Sequence, residues 1–327
     1  MIKKTRILFG VGLILIFCLF TACAADKESE PEPVSRSGFY FDTNITIKVY
    51  DEQGEALLKK CFSLCNELEY SFSRTLEDSE LYRVNHRTSN TVEISEHLAQ
   101  VISLGLEFGE KTDGAFDITI CPVADLWDFK SENPQMPDQA DIDAALEKVD
   151  YRKVHLNGTT LTFDSDDTML DLGAIAKGYA ADRIKELLLE EGVESAVINL
   201  GGNVQTIGSK PDGTPWNVGI QKPFSPSGET LTVVEAVDES VVCTGVYERY
   251  FEKDGVRYHH VLDPKTGYPV ETDLDQITVI CEESAMADVL ATSCLLIGEE
   301  QSKQLLEEIG FSNTWLHLTE RCAMIKQ

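Results

Sequence analysis

The stretch DLGAIAKGYAADRIKELLLEEGVESAVINLGGN, residues 171–203, decides the architecture of this chain. From Gly173 to Glu191 apolar residues recur at helical spacing, and Gly192 supplies a C-terminal stop. Residues 195–200 then switch to a short apolar strand that runs into Gly201-Gly202. From there to Cys281 the chain is strand-rich, broken by turns at 210–215 and 223–228. An amphipathic helix leading into a run of hairpin-linked strands predicts a helix laid on a mainly antiparallel sheet.

The flanks extend the pattern. Residues 39–50 alternate as a strand, and Gly54–Phe72 carries apolar residues at helical spacing. Ser95 is placed to N-cap a helix running to about Lys111, with Gly114 just beyond. Residues 133–138 read as a loop, 142–149 as a short helix, and 153–163 as a hairpin turning at Asn157-Gly158. A helix at 283–297, another to Ile309 closed by Gly310, and a final strand at 313–318 complete the reading. The expected fold class is α+β, with mainly antiparallel sheets flanked by helices. With 327 residues, 43% of them hydrophobic, the chain can bury one large core or two intimately packed subdomains.

The N-terminus reads as a targeting segment. Lys3, Lys4 and Arg6 precede an apolar run at 10–20, too short for a comfortable membrane span. The end Phe20-Thr-Ala-Cys23 resembles a bacterial lipoprotein box, which would be cleaved before Cys23 and carry lipid on its sulfur; an uncleaved signal anchor is the alternative. The expected organisation is a signal peptide at 1–22, a flexible tether rich in Glu, Pro and Ser at 23–38, and a catalytic domain at 39–327. The corresponding location is the extracytoplasmic face of a bacterial cell membrane, held there by the lipid.

The formal charge is −28, and removal of residues 1–22 takes away three positive charges and no negative ones, leaving −31. Such a chain repels nucleic acid and anionic headgroups, so an acyl chain must supply any membrane affinity. An anionic substrate would need local positive charge, which gives weight to any lysine or Mg²⁺ in a pocket. Besides Cys18 and Cys23 there are seven cysteines, and no CxxC pair occurs. Cys61 and Cys65 share a helical face, as a zinc half-site, a redox pair or two small buried hydrophobes would.

Four segments carry candidate chemistry. In Asp171-Leu-Gly-Ala-Ile-Ala-Lys-Gly178, Gly173 opens a helix whose first N–H groups and dipole attract phosphate. Lys177 can reach the same anion, and Asp171 can accept a ligand hydroxyl or N–H; a plain helix start with a solvated lysine has the same sequence. Asp288 and Thr292, at i and i+4, put two hard oxygens on one helix face among small and apolar neighbours. Mg²⁺ takes few protein ligands, so these two and a backbone carbonyl would suffice, although a solvent-facing polar stripe would look alike. His259 and His260 alternate across a strand, so one can face a pocket and exchange a proton while the other is structural. Thr112-Asp-Gly-Ala-Phe-Asp117 reads as a turn into a strand in which Phe116 can stack on a flat ring or sit in the core.

Taken in order, these segments resemble the ApbE-type FAD:protein FMN transferase family over residues 39–297. The resemblance includes Phe72-Ser73, Ser79-Glu-Leu-Tyr-Arg-Val-Asn85, Thr112 to Asp117 with Pro122 and Leu126-Trp127, and Asp171 to Gly178. It continues through Asn199-Leu-Gly-Gly-Asn203, Thr244-Gly245, Tyr247-Glu-Arg249, His259 to Gly267, and Asp288 to Thr292. The resemblance implies a T-fold-related architecture that takes FAD as substrate. Phe41, Ala115, Phe116, Asp117, Asp171, Lys177 and His260 fall on the family's dinucleotide contacts, and the Ala174 carbonyl, Asp288 and Thr292 on its Mg²⁺ site. Departures are Phe41-Asp42-Thr43 for Met-Gly-Thr, Thr75 for an aromatic residue, Ala291 for a second carboxylate, and Thr244-Gly245-Val246 for Ser-Gly-Asp. The implied reaction places FMN on a Thr or Ser hydroxyl of an acceptor flavoprotein and releases AMP, with His260 as proton acceptor. An FAD pyrophosphatase giving FMN and AMP shares the site, and a non-catalytic flavin-binding lipoprotein is the reading from another class. A nicotinamide oxidoreductase is set aside because no GxGxxG follows a strand.

Overall fold

The computed structural model describes residues 32–226, 228–311 and 314–327. The signal segment, Cys23 and residues 23–31 of the expected tether lie outside the described residues. No described helix is long and apolar enough to cross a membrane.

The chain begins with strands β1 (Val34–Tyr40) and β2 (Thr43–Val49), followed by helices α1 (Gly54–Phe72) and α2 (Glu80–Asn85). Strand β3 (Thr91–Glu93) leads to α3 (Glu96–Lys111), α4 (Cys121–Trp127) and α5 (Gln139–Leu146). Strands β4 (Val154–Asn157) and β5 (Thr160–Phe163) precede α6 (Ala176–Glu190). Then come β6 (Ala196–Leu200), β7 (Asn203–Ile207), β8 (Trp216–Gln221), β9 (Thr230–Ala236), β10 (Ser240–Gly245), β11 (Tyr250–Lys253), β12 (Val256–His259) and β13 (Gln276–Cys281). Helix α7 (Ser284–Glu308) and strands β14 (Thr314–Thr319) and β15 (Cys322–Lys326) close the chain.

Eight strands form the central sheet in the order β1-β2-β6-β7-β10-β13-β15-β14, antiparallel throughout except for the parallel β13–β15 pair. The α+β expectation is borne out. Helices α1, α6 and α7 cover one face, and their apolar stripes meet Ile45, Ile47, Ile198, Val242, Ile277 and Val279 in the main core. The β8–β9 hairpin covers part of the other face, where Val218, Ile220 and Ala236 pack on Val241, Ile280 and Met324. All six residues of β13 are buried, as a central strand covered on both faces requires.

Ser95 caps α3 by accepting the Leu98 N–H at 3.2 Å, an interaction worth about 1 kcal/mol. Asp182 reaches from α6 to cap α7, accepting from the Ser284 and Ala285 N–H groups at 2.7 and 2.8 Å. Gly298 lies outside helical geometry at φ 76° and divides α7 where two helices were expected.

Several boundaries differ from the sequence reading. Residues 39–50 are not one strand: the chain reverses at Phe41-Asp42, both left-handed at φ 52° and 57°. Asp42 tolerates left-handed backbone but Phe41 does not favour it, so the compositional signal for a turn is weak; the Phe41 N–H is held by Glu69 Oε1 at 2.8 Å. The expected tether ends earlier than Gly38, because Val34–Tyr40 pairs along its whole length with β2. Residues after Asp117 enter a turn and then α4 rather than a strand. Strand β15 was not anticipated; it sits between β13 and β14, so β14 is an edge strand and not the last element. Cys61 and Cys65 are fully buried hydrophobes on α1, their thiols pushed up to about 12 by burial, and among the described residues no cluster of three His, Cys, Asp or Glu side chains could hold a metal.

A candidate active site at the start of helix α6

The first turn of α6 is irregular for a reason that lies in α7. The Leu172 carbonyl accepts from the Ala176 N–H at 2.9 Å, and the Ile175 carbonyl from the Tyr179 N–H at 3.0 Å. Between them, the Gly178 N–H does not bond to Ala174. It donates instead to Asp288 Oδ2 at 3.0 Å. The Ala174 carbonyl is thus left without a donor among the described residues, at the wall of a cavity. Asp288 is 2% exposed. Its Oδ2 also receives the Lys177 ammonium at 3.4 Å, while Oδ1 has no protein partner among the described residues. Thr292, one turn along α7, lines the same cavity with a hydroxyl equally unpartnered there.

This approach of α7 to α6 requires Gly178. A Cβ there would lie 2.3 Å from the Ser284 carbonyl oxygen and 2.8 Å from the Ala285 Cα. The result is a carboxylate oxygen, a hydroxyl and a free carbonyl lining one cavity, oxygen donors of the hard type that suits Mg²⁺. Ala291, a departure from the second carboxylate that the resemblance would place there, is fully buried and offers no side-chain ligand.

The cavity has a volume of about 580 Å³, within the usual range for small-molecule sites. All ten residues singled out as ligand or metal contacts line it: Phe41, Ala115, Phe116, Asp117, Asp171, Ala174, Lys177, His260, Asp288 and Thr292. They come from the β1–β2 turn, the loop before α4, the start of α6, the end of β12 and the middle of α7.

Their side chains differ in how free they are. The Asp117 carboxylate is spent on its own loops, taking the Thr119 N–H and hydroxyl on Oδ1 and the Tyr151 N–H on Oδ2. Burial raises its pKa, and those hydrogen bonds oppose the rise. Phe116 is 4% exposed and packs edge-on against Phe108, so its ring belongs to the core and not to a stacking platform. Asp171 accepts the Gly173 N–H at 2.8 Å and pairs with Arg74 Nε at 2.8 Å. Both carboxylates therefore shape the cavity through bonds to their own loops, and each Asp171 oxygen already has one protein partner.

His260 lies at the end of the β11–β12 hairpin, with Nδ1 3.3 Å from the Arg249 carbonyl. That contact fits a tautomer that donates from Nδ1 and leaves Nε2 as acceptor. Burial, with the Arg249 and His259 charges adding to it, pushes the ring down to about 3, so it is neutral at physiological pH. His259, on the opposite side of the strand, is buried and lowered to about 4, chiefly by burial. The division into one cavity histidine and one structural histidine is what alternation predicts.

Sequence reasoning did not single out Arg74, Glu248 or Arg249, which also line the cavity. Arg74 ties Asp171 to Asp125. Burial works to lower its pKa, but those carboxylates outweigh it and hold the guanidinium charged. Arg249 has no carboxylate partner among the described residues, an unpaired cation in a strongly acidic chain. Enclosure raises the Glu248 pKa; Lys177 and Arg249 oppose that rise, and Asp288 adds to it. The only signal for Glu248 and Arg249 was their place in Tyr247-Glu-Arg249; Arg74 had none.

The sheet, its helical layer and this cavity define a class: an α+β protein that gathers a hard-oxygen set and several cationic side chains where a helix begins. Comparison with known proteins narrows the class. The sequence model of the ApbE family matches residues 41–313. A Treponema pallidum protein named FAD:protein FMN transferase is 34% identical over 327 residues, covering 94% of this chain and 90% of its own. A Klebsiella pneumoniae protein of the same name is 35% identical, covering 86% and 87%. Among solved structures, the flavin transferase ApbE from Vibrio cholerae superposes with a TM-score of 0.77 at 30% identity, over 85% of this chain and 91% of the other. The ApbE protein from Thermotoga maritima gives the same TM-score and identity. This chain belongs to the ApbE family, and the resemblance carried by its motifs is borne out.

Proposed function

We propose that this protein transfers the FMN moiety of FAD to a Thr or Ser hydroxyl of an acceptor flavoprotein, with AMP as leaving group and Mg²⁺ as cofactor. The observation that carries this reading is the diversion of the Gly178 N–H to Asp288, which frees the Ala174 carbonyl beside a carboxylate and a hydroxyl. A structural helix start has no need to leave that carbonyl unpaired at a cavity wall.

The acceptor oxygen forms a bond to the FMN-side phosphorus as the bond from that phosphorus to the AMP phosphate oxygen breaks. His260 accepts the hydroxyl proton through Nε2, and AMP departs with the electron pair. The ring's low basicity in the open cavity suits a group whose basicity rises when the diphosphate enters, since an adjacent anion favours imidazolium. Lys177 and the N-terminus of α6 supply positive charge where the phosphoryl oxygens gain negative charge. Ala174, Asp288 and Thr292 would hold Mg²⁺, which when bound neutralises charge on the diphosphate. Arg74, by fixing Asp171, holds the loop ahead of α6 in place.

Membrane attachment is part of the same proposal. Lipid on Cys23 and a short polar tether would station the domain at the outer face of a bacterial cell membrane, near membrane-bound acceptors. The support is the basic, apolar and small-residue order ending at Cys23. Metabolic labelling with a fatty acid tests it, with label expected on the wild type and absent from Cys23→Ser.

A pyrophosphatase uses the same groups with water in place of the acceptor hydroxyl. Chromatography of AMP released from FAD and Mg²⁺ separates the two. AMP that appears only with an acceptor protein supports transfer; equal AMP without one supports hydrolysis. FAD left intact under both conditions contradicts catalysis.

A further inference from the structure

Asn203 opens β7 directly after Gly201 and Gly202, both left-handed at φ 64° and 102°. Asn199 fixes that turn, its Oδ1 accepting the Gly202 N–H at 3.0 Å. Strand β7 pairs with β10 through Val204↔Val241 and Gln205↔Ser240, so Asn203 comes abreast of Val242 on the sheet face covered by α6 and α7. Thr244, two residues along β10, shares that face and lines the cavity with it.

Asn203 is 2% exposed and lines the same cavity as Ala174, Lys177 and Asp288. Its Nδ2 is buried with no hydrogen-bond acceptor, and among the described residues nothing donates to its Oδ1. A buried amide left unpaired costs about 1–3 kcal/mol. It contrasts with Asn85, whose amide is satisfied at both ends by the Leu170 main chain. One asparagine is used by the fold, and the other is held ready for something the fold does not contain.

We propose that Asn203 is a substrate-binding residue whose side-chain NH₂ donates to a phosphoryl oxygen of the FAD diphosphate. This rests on the transferase reading and extends it to a residue outside the expected set. The terminal amide torsion is free to turn the NH₂ toward the ligand. A neutral donor suits this position, because the cations already present, Lys177 and Arg249, reach the cavity from elsewhere. A carboxylate in its place would face Asp288 and the diphosphate together.

The test compares full-length wild type, Asn203→Ala and Asn203→Asp. Calorimetric affinities are measured for FAD, ADP and riboflavin with Mg²⁺ present, and thermal unfolding is measured without ligand. Asn203→Ala should weaken FAD and ADP roughly 10- to 100-fold, as loss of one hydrogen bond to a charged group does. Asn203→Asp should weaken them more. Riboflavin, which has no phosphate, should bind all three alike. Ligand-free Asn203→Ala should melt at or above the wild-type temperature, since the deleted amide had no partner to lose; a structural asparagine would show the reverse. Should Asn203→Ala fail to fold, the isosteric Asn203→Asp carries the same comparison. Affinities for FAD and ADP within twofold of wild type, or an equal loss for riboflavin, would overturn the assignment. Failure of the wild type itself to bind FAD would overturn the transferase reading, and this role with it.

Discussion

The main-chain N–H of Gly178 and the carboxylate of Asp288 are joined by a hydrogen bond of 3.0 Å that crosses from α6 to α7. This bond anchors one oxygen of a nearly buried carboxylate and leaves the other for a ligand. It also withdraws the N–H that would have occupied the Ala174 carbonyl. Residues more than a hundred positions apart in the sequence are thereby tied to one point, and the glycine that permits the approach is part of the motif.

Gly178→Ala should therefore act on both stability and metal binding. The new Cβ would meet main-chain atoms of Ser284 at 2.3 and 2.6 Å, which no rotamer change relieves. Overpacking of this kind costs about 1–3 kcal/mol. Thermal unfolding should shift down, and Mg²⁺ titrated against the ligand-free protein should bind more weakly. An unchanged Mg²⁺ affinity would separate the α6–α7 contact from the metal set.

Acid should destabilise the fold through its two neutral histidines. His259 and His260 have folded pKa values near 4 and 3, below the unfolded value near 6.5. As pH falls below 6.5 the unfolded chain takes up protons that the folded chain refuses, so their stabilisation is present above pH 6.5 and is lost toward pH 4. Asp182, raised to about 6 by burial, works in the opposite sense below pH 6. A difference measurement removes that opposition. The stability advantage of wild type over His260→Gln should shrink on acidification by up to about 1.4 kcal/mol per pH unit. Denaturant titrations at pH 7, 6 and 5 check this, and a constant difference would show that His260 takes up protons in the folded state.

Much of the fold was legible because its long elements obey simple periods. Helix α1 matches its predicted span, Ser95 caps α3, and Gly192 closes α6 at φ 84°. Misplaced boundaries arose where the local signal was weak or contradictory. Phe41-Asp42 turns with only Asp42 to signal it, and Glu69 from α1 holds the Phe41 N–H. The hairpin expected at Asn157-Gly158 turns one residue later, because Asn157 still pairs with Thr160. Strand β15 is short, and the pairing that makes it a strand is a parallel contact with distant β13. At the site, the separated motifs named the residues that line the cavity but not how their hydrogen bonds are spent. Asp171 reads as a ligand acceptor in sequence, which does not show that Gly173 and Arg74 already bond its two oxygens.

Arg74 carries a prediction of its own. Its removal leaves Asp171 and Asp125 facing each other without a cation in a chain already at −28. Asp171 is half-buried and Asp125 is exposed, so the loss is that of a solvent-screened pair, about 1 kcal/mol. Arg74→Met should lower the melting temperature and weaken FAD binding, and Arg74→Lys should restore only part of either, because a point charge cannot bond both carboxylates as a guanidinium fork does. Full activity and stability in Arg74→Met would show that Asp171 needs no support.

The central claim is that this cavity joins FMN to an acceptor hydroxyl. The most direct test is the intact mass of an acceptor flavoprotein after incubation with the soluble domain, FAD and Mg²⁺, run beside Asp288→Asn. Wild type should add the mass of FMN less one water, the gain should vanish when the acceptor hydroxyl is mutated, and Asp288→Asn should slow it roughly 10²–10³-fold. An acceptor mass that never changes across several acceptors, with wild type folded and FAD bound, would contradict the account.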